Sequence, residues 1–286
     1  MGWHTTKDLD AFLTAASGFL RARAVENTVL ITVADGLRLR ALDVYGDTPP
    51  RFGWWHDAEG TVGAAFLETP PWPPLLTQAP VEAVAELADV WGSREDPLLG
   101  VRGERATVEA FADAWRSRTG VAAEPGKGIR LFRLGELTPP EPAPAGRART
   151  ARADDRELLV EWHEAFAGEI GEPSPNAGAF VDDRLGHGGL TLWEVDGVPV
   201  SMAGNTRALA GMVRVVAVYT PPAHRGRGYA GAATAVVSRA ARDAGTAEVV
   251  LFTDLANPTS NALYRRLGYR PVQDHAAVTY SPAGGR

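Results

Sequence analysis

The sequence has no cysteine, which excludes disulfide bridges, a thiolate nucleophile and any cysteine-ligated metal. Lysine is nearly missing too: apart from Lys7 and Lys127, every basic side chain is arginine. No stretch comes near the roughly 18 consecutive apolar residues of a membrane-spanning helix. The opening MGWHTTKDLDAFL has no apolar segment behind a basic start, so it does not read as a signal peptide. Basic residues are outnumbered as well, and a net charge of −6 leaves no excess for a nucleic-acid surface. These absences point to a soluble, cytoplasmic protein with neither a membrane nor a nucleic acid as partner.

What is present suffices for two cores: 286 residues, 45% of them hydrophobic. The sharpest break is LTPPEPAPAGRA, whose prolines 139, 140, 142 and 144 suit neither a helix interior nor a central strand. A proline-rich linker is expected at 137–146, between an N-terminal lobe over 1–136 and a second domain over 147–286.

The second half is the more readable. GRARTARA predicts a strand, DDRELLVEWHEAFAG and NAGAFVDDRL two helices, and GLTLWEVDGVPVSMAGN a hairpin turning at Asp196-Gly197. MVRVVAVYT predicts a strand. From Tyr229 to Asp243 a helix is expected with Ala233, Val236, Val237, Ala240 and Ala241 on one face, stopped by Gly245. AEVVLFTDL reads as a buried strand, PTSNALYRRLG as a short helix ended by Gly268, and the last 18 residues as one or two strands. The order β-α-α-β-β-β-α-β-α-β is that of a mixed α/β layer.

In the first half, DLDAFLTAASGFLRA predicts a helix and TVLITVADGLRLRALDVYG a strand. Two helices follow, VEAVAELADVW and ATVEAFADAWRSR, the second with Val108, Phe111, Ala112 and Trp115 on one face, and GIRLFRLG closes the half. FLETPP at 66–71 echoes AVYTPP at 217–222, a hint of a degenerate repeat. Its chemistry is absent, because Pro70, Pro71, Pro73 and Pro74 lack the N–H groups that would cradle a phosphate.

The chemistry concentrates at the strand-to-helix corner TPPAHRGRGYAGAA, 220–233. Helix-start amides have no intrahelical partner, and the macrodipole favours an anion there. Glycines 226, 228 and 231 let the backbone approach a ligand, and Arg225 and Arg227 add donors suited to phosphate oxygens. GRGYAG also spells the dinucleotide fingerprint G-x-G-x-x-G, which alone would suggest an NAD(P)-dependent oxidoreductase. Against that, PPAHR separates the glycines from the strand, and the unit lies near the end of the chain.

RGRGYA at 225–230, followed by NPTSNALYRRLGY at 257–269, resembles the GNAT superfamily of N-acetyltransferases. Arg225, Gly228 and Ala230 match its pyrophosphate-loop pattern, and Asn257, Ser260, Tyr264, Gly268 and Tyr269 match the motif that follows. The resemblance spans 147–280. It implies a mixed β-sheet flanked by helices, with a worn GNAT-like lobe in tandem before it, and acetyl-CoA as co-substrate with no metal. It further implies acetyl transfer to a primary amine, of a small molecule or a peptide, by direct attack in a ternary complex. The resemblance assigns Val218, Tyr219 and Thr220 to the acyl carbonyl. Arg225, Gly226, Arg227, Gly228, Tyr229, Ala230 and Gly231 fall to the pyrophosphate, Asn257 and Ser260 to the pantetheine arm, and Tyr264 to protonation of the leaving thiolate. A base for the amine is left open among Glu161, Glu164, Glu169, Glu172, Glu194, His163 and His224, as are a homodimer and a non-catalytic acyl-CoA sensor. Six of the eight tryptophans lie in the first lobe, suiting either core packing or an aromatic acceptor wall.

Other constellations fail. HEAFA lacks the second histidine of a zinc motif, GVAAEPGKG misses a phosphate loop in spacing and in its missing Ser or Thr, and no G-x-S-x-G occurs.

Overall fold

The computed structural model describes residues 1–40, 42, 46–94, 96–172, 174 and 176–281. The first half runs β1 (Gly2–Thr6), α1 (Leu9–Ala22), α2 (Thr28–Arg40), β2 (Arg51–His56), β3 (Val62–Glu68), β4 (Leu75–Leu76), α3 (Val81–Trp91), β5 (Gly100–Glu104), α4 (Arg105–Thr119), β6 (Ala123–Pro125) and β7 (Ile129–Leu134). The second half runs β8 (Arg147–Thr150), α5 (Arg156–Ile170), α6 (Ala177–Leu185), β9 (Leu190–Val195), β10 (Val198–Asn205), β11 (Met212–Tyr219), α7 (Tyr229–Asp243), β12 (Glu248–Asp254), α8 (Pro258–Arg266) and β13 (Tyr269–Tyr280). The expected order of the second half is the observed one. Among the described residues no helix is long and apolar enough to cross a membrane.

Two compact units divide the chain. One comprises residues 1–131, 254–256 and 272 onward; the other comprises Phe132–Thr253 and Asn257–Pro271. These bounds differ from the expected ones at both ends. The proline-rich segment belongs wholly to the second unit, because Leu137 packs on that core and the Thr138 N–H donates to the Leu267 carbonyl at 3.1 Å. Farther along the segment, Trp193 Nε1 donates to the Ala145 carbonyl at 2.9 Å. Residues 272–280 belong to the first unit, where β13 pairs antiparallel with β5, His275 opposite Glu104.

In the first unit the strands run β1-β2-β3-β4-β5-β13, with β6 also on β13. Asp8 caps α1 by accepting from the Asp10 and Ala11 N–H groups at 2.9 and 3.1 Å, a cap worth roughly 0.5–2 kcal/mol. The strand expected from residue 28 is instead α2; residues 41 and 43–45 of that stretch lie outside the described residues. Leu30, Ala34 and Leu37 recur at helical spacing and are all buried, so packing of one face overrides the β-branched bias of the segment. Rings from Trp3, Phe66, Trp91, Phe111 and Trp115 follow one another at 5.0–5.9 Å between centroids. Those three tryptophans serve core packing.

In the second unit the strands run β7-β12-β11-β10-β9-β8. Packing on one face draws Val237 and Ala233 of α7 and Tyr264 of α8 together with Val213, Val249 and Leu251. The other face joins Leu159 and Trp162 of α5 and Val181 of α6 to Leu192 and Met202. Helix α7 has the expected bounds, but Val236 and Ala240 are exposed; the buried stripe shifts toward Ala232, Ala235 and Ser238. The β9–β10 hairpin turns at Asp196 and Gly197, with φ of 52° and 79°, as a two-residue turn requires.

Candidate active site

β11 is a run of β-branched residues, and a strand in the middle of a sheet buries such side chains on both faces. It pairs in parallel with β12 from Met212↔Glu248 to Val215↔Leu251, and there the ladder stops. On its other side β11 stays with β10 as far as Met202↔Tyr219, with a bulge between Met202 and Gly204. Ala217 takes φ +49°, the left-handed region that L side chains seldom enter. The bulge inverts the pleat. Val213 and Val215 face the α7 side, whereas Ala217 and Tyr219, of the same parity, pack on the α5 side. Among the described residues, the edge that faced β12 carries no ladder partner from Val216 to Tyr219.

The chain then turns through Pro221 and a short 3₁₀ turn, Pro222–His224, into the corner. Gly226 and Gly228 have φ of 76° and 83°, so both positions favour glycine for conformation alone. A side chain at Gly226 would enter open space. Gly228 is the N-cap of α7; no side chain caps that end, and no acid stands in its first turn. The amides of Tyr229, Ala230 and Gly231 thus form a helix start suited to an anion.

The expected site residues separate into groups. Val218 and Tyr219 form the end of β11 that β12 has left, with Tyr219 still paired to Met202 of β10, and Thr220 follows the strand. Arg227 is exposed beside the glycines and, among the described residues, holds no carboxylate. The Tyr229 side chain is buried in the core, leaving only its N–H at the helix end. Gly231 lies under α8, where a Cβ would come within 3.0 Å of Leu263 Cδ1 and 3.4 Å of Pro140 Cγ. Arg225 is placed differently from the expectation. Its guanidinium lies on both Glu169 oxygens at 2.6 and 2.7 Å, and its Nε donates to the Thr220 carbonyl at 2.8 Å.

On α8, Asn257 is the N-cap: its side chain accepts from the Ser260 N–H at 3.0 Å, which also occupies the Ser260 amide. Tyr264 is buried in the core beside Tyr269, ring centroids 6.0 Å apart. Burial pushes the Tyr264 phenol well above the usual tyrosine range, so it is a neutral O–H donor. Tyr269, fully buried, bonds Ser238 Oγ at 2.7 Å, and burial pushes it up to about 12.

Among the candidate bases, Glu169 is taken by Arg225, and Glu194 is buried against Arg149 at 2.5 Å. His163 is buried, stacked on Phe180 at 3.8 Å, with Nε2 3.0 Å from Ser174 Oγ. Burial, helped by the Arg184 charge, pushes His163 down to about 4. A histidine so depressed is a weak acceptor for an ammonium proton.

Sequence reasoning missed Ser201, a fully buried residue of β10 that bonds the Tyr219 carbonyl at 3.0 Å and lies 2.8 Å from Thr220 Oγ1. A lone serine in a strand carries no signal of that role. The Ala217 bulge was equally hidden, since alanine is not a residue that left-handed backbone selects.

Residues 156–269 match the profile of the Acetyltransferase (GNAT) family. Nearly the whole chain is similar in fold to an acetyltransferase from the GNAT family of Colwellia psychrerythraea (TM-score 0.62, 11% identity, 99% of this chain and 100% of that one). It is likewise similar to a GCN5-related N-acetyltransferase from Sphaerobacter thermophilus (TM-score 0.63, 18% identity, 97% and 95% covered). A GCN5-related N-acetyltransferase from Kribbella flavida follows at TM-score 0.52 and 23% identity, with 78% and 87% covered. No curated protein matches the chain. The fold is thus the mixed α/β sheet of GNAT proteins, and the coverage of the first two structures extends the likeness to the N-terminal half.

Proposed function

With residues 156–269 standing as a GNAT acetyltransferase domain, we propose that the protein transfers an acetyl group from acetyl-CoA to a primary amine in the cytoplasm. One observation carries the reading: the opened edge of β11 leads, through the short turn after Thr220, to a helix start with no side-chain cap, all within one compact unit. Carbonyl-binding and anion-binding amides are then consecutive along the chain, in the order a thioester joined through a long arm to a pyrophosphate requires. The residues fit such a ligand, since Gly226 leaves the backbone uncovered, Gly228 keeps a side chain away from the helix start, and Arg227 is an exposed cation that, among the described residues, holds no carboxylate.

Acetyl-CoA supplies the activated acyl group; the chain's own residues do the rest. Backbone N–H groups from Val218 to Thr220 on the edge that β12 leaves donate to the carbonyls of the acyl group and its arm, and the one on the thioester oxygen does so more strongly as negative charge gathers there. The α7 amides and Arg227 hold the pyrophosphate. As the neutral amine adds and the carbon–sulfur bond breaks, Tyr264 gives its phenolic proton to the departing thiolate. Glu169, Glu194 and His163 are each committed elsewhere; the proton lost by the amine passes to solvent, by water or through one of the remaining candidates Glu161, Glu164, Glu172 and His224, and solvent returns a proton to Tyr264.

Titration calorimetry with acetyl-CoA, NADH and NADPH in parallel tests this. Binding of acetyl-CoA alone supports it, and an amine screen follows. A nicotinamide nucleotide binding in its place would return the fingerprint reading, and tight acetyl-CoA binding with no turnover on any amine would favour a sensor.

A further inference from the structure

Ser201 sits at the centre of a short chain of hydrogen bonds. A serine hydroxyl has one proton, and in this chain the Tyr219 carbonyl takes it at 3.0 Å. The contact with Thr220 Oγ1 at 2.8 Å must then run the other way, with Thr220 donating to Ser201. The sequence Thr220 O–H to Ser201 O–H to Tyr219 C=O is buried at its Ser201 end and partly buried at Thr220, and bonds in such a chain polarise one another.

The consequence lies in the peptide plane. A trans peptide is flat, and its C=O and the following N–H point in opposite directions. Anchoring the Tyr219 carbonyl toward β10 therefore aims the Thr220 N–H at the opposite edge, the one β12 leaves after Val215. The next carbonyl, that of Thr220, is held by Arg225 Nε at 2.8 Å. Both peptide planes flanking Thr220 are thus pinned, while among the described residues no carbonyl accepts from the Thr220 N–H. Pro221 has no N–H, so Thr220 is the last donor of the strand end.

We infer that Ser201 is a positioning residue: it orients the Thr220 N–H toward a carbonyl on the arm of the acyl donor, without itself touching the ligand. The inference rests on the acetyl-CoA reading above. It makes a distinction that a general structural role does not, because only the arm should sense Ser201. The nucleotide half of the ligand would be held by the α7 helix start, beyond the turn.

The experiment compares two probes on the full chain by calorimetry: acetyl-CoA, and adenosine 3′-phosphate 5′-diphosphate, which has no arm. Ser201→Ala should weaken acetyl-CoA by about 3- to 10-fold, the range of one lost hydrogen bond, and leave the nucleotide within about twofold. Equal loss for both probes, or none for either, overturns the inference. A second measurement does not depend on the variant's folding. In the parent, the Thr220 amide resonance should move on adding acetyl-CoA and stay in place on adding the nucleotide; movement with both, or with neither, overturns it equally. If the parent binds neither probe, the acetyl-CoA reading itself has failed.

Discussion

Arg225 sets one terminal nitrogen between the two oxygens of Glu169, at 2.6 and 2.7 Å, and so ties the corner to the end of α5. Both side chains are about half exposed, and such pairs contribute on the order of 0–1 kcal/mol. A pyrophosphate in the corner would compete with Glu169 for the same guanidinium. Glu169→Gln should therefore tighten acetyl-CoA binding by about two- to fivefold by calorimetry, while the melting temperature moves less than about 4 °C. Unchanged or weaker binding would place Arg225 in the wall of the site and not among its phosphate ligands.

Tyr264→Phe keeps the ring in its buried place and removes only the proton donor. The expected result is a kcat lower by about 10²–10⁴-fold, with acetyl-CoA affinity nearly unchanged. Because burial raises this phenol, its ionisation should produce no loss of rate below about pH 10 in the parent. Activity within about threefold of the parent would remove Tyr264 from the mechanism.

Gly228 has φ +83° at the N-cap of α7. Valine there meets a left-handed backbone, at a cost of roughly 1–3 kcal/mol, and places two methyl groups beside the anion-binding amides. Gly228→Val is expected to abolish acetyl-CoA binding in a protein that still melts cooperatively. A Cβ would meet Pro144 only at an ordinary 3.7 Å, so the fold can accommodate the change. Retained affinity in a folded variant would falsify the assignment of the corner.

His163 carries a pH dependence of known sign. Its folded value of about 4 lies below the ordinary histidine value of 6.5. Its contribution to stability is therefore present above pH 6.5 and lost as the pH falls toward 4, where the unfolded chain takes up the proton first. His275 in the first unit, pushed to about 4 chiefly by burial, acts in the same direction. Urea midpoints measured from pH 7.5 to 4.5 should decline through this window, and His163→Phe should decline less steeply. Parallel curves would mean that His163 does not stay neutral in the folded protein.

Several elements were legible because local chemistry alone decides them. Asp196-Gly197 can serve a two-residue hairpin, and Gly228 and Gly245 bracket α7 with φ of 83° each. The conformation of the corner was legible for the same reason, since Gly226 and Gly228 take φ of 76° and 83°, which favour glycine. Helix α2 was not, because T-V-L-I-T-V suits a strand until a buried face at Leu30, Ala34 and Leu37 selects the helix.

The sequence by itself determined the order of elements in the second half, the glycine-rich corner before α7 and the motif pair that carries the family likeness. Each is built from short local patterns read one after another along the chain. Tertiary structure decided which donors those residues present. The bulge at Ala217 reverses the pleat of β11, Arg225 is claimed by a glutamate 56 positions earlier, and Ser201 orients a peptide 18 positions later. It also decided that residues 272–280 complete the first unit by pairing with β5. Backbone hydrogen bonds between strands are the same for every residue type except proline, so the partner of a strand end is settled by packing more than by the letters that spell it.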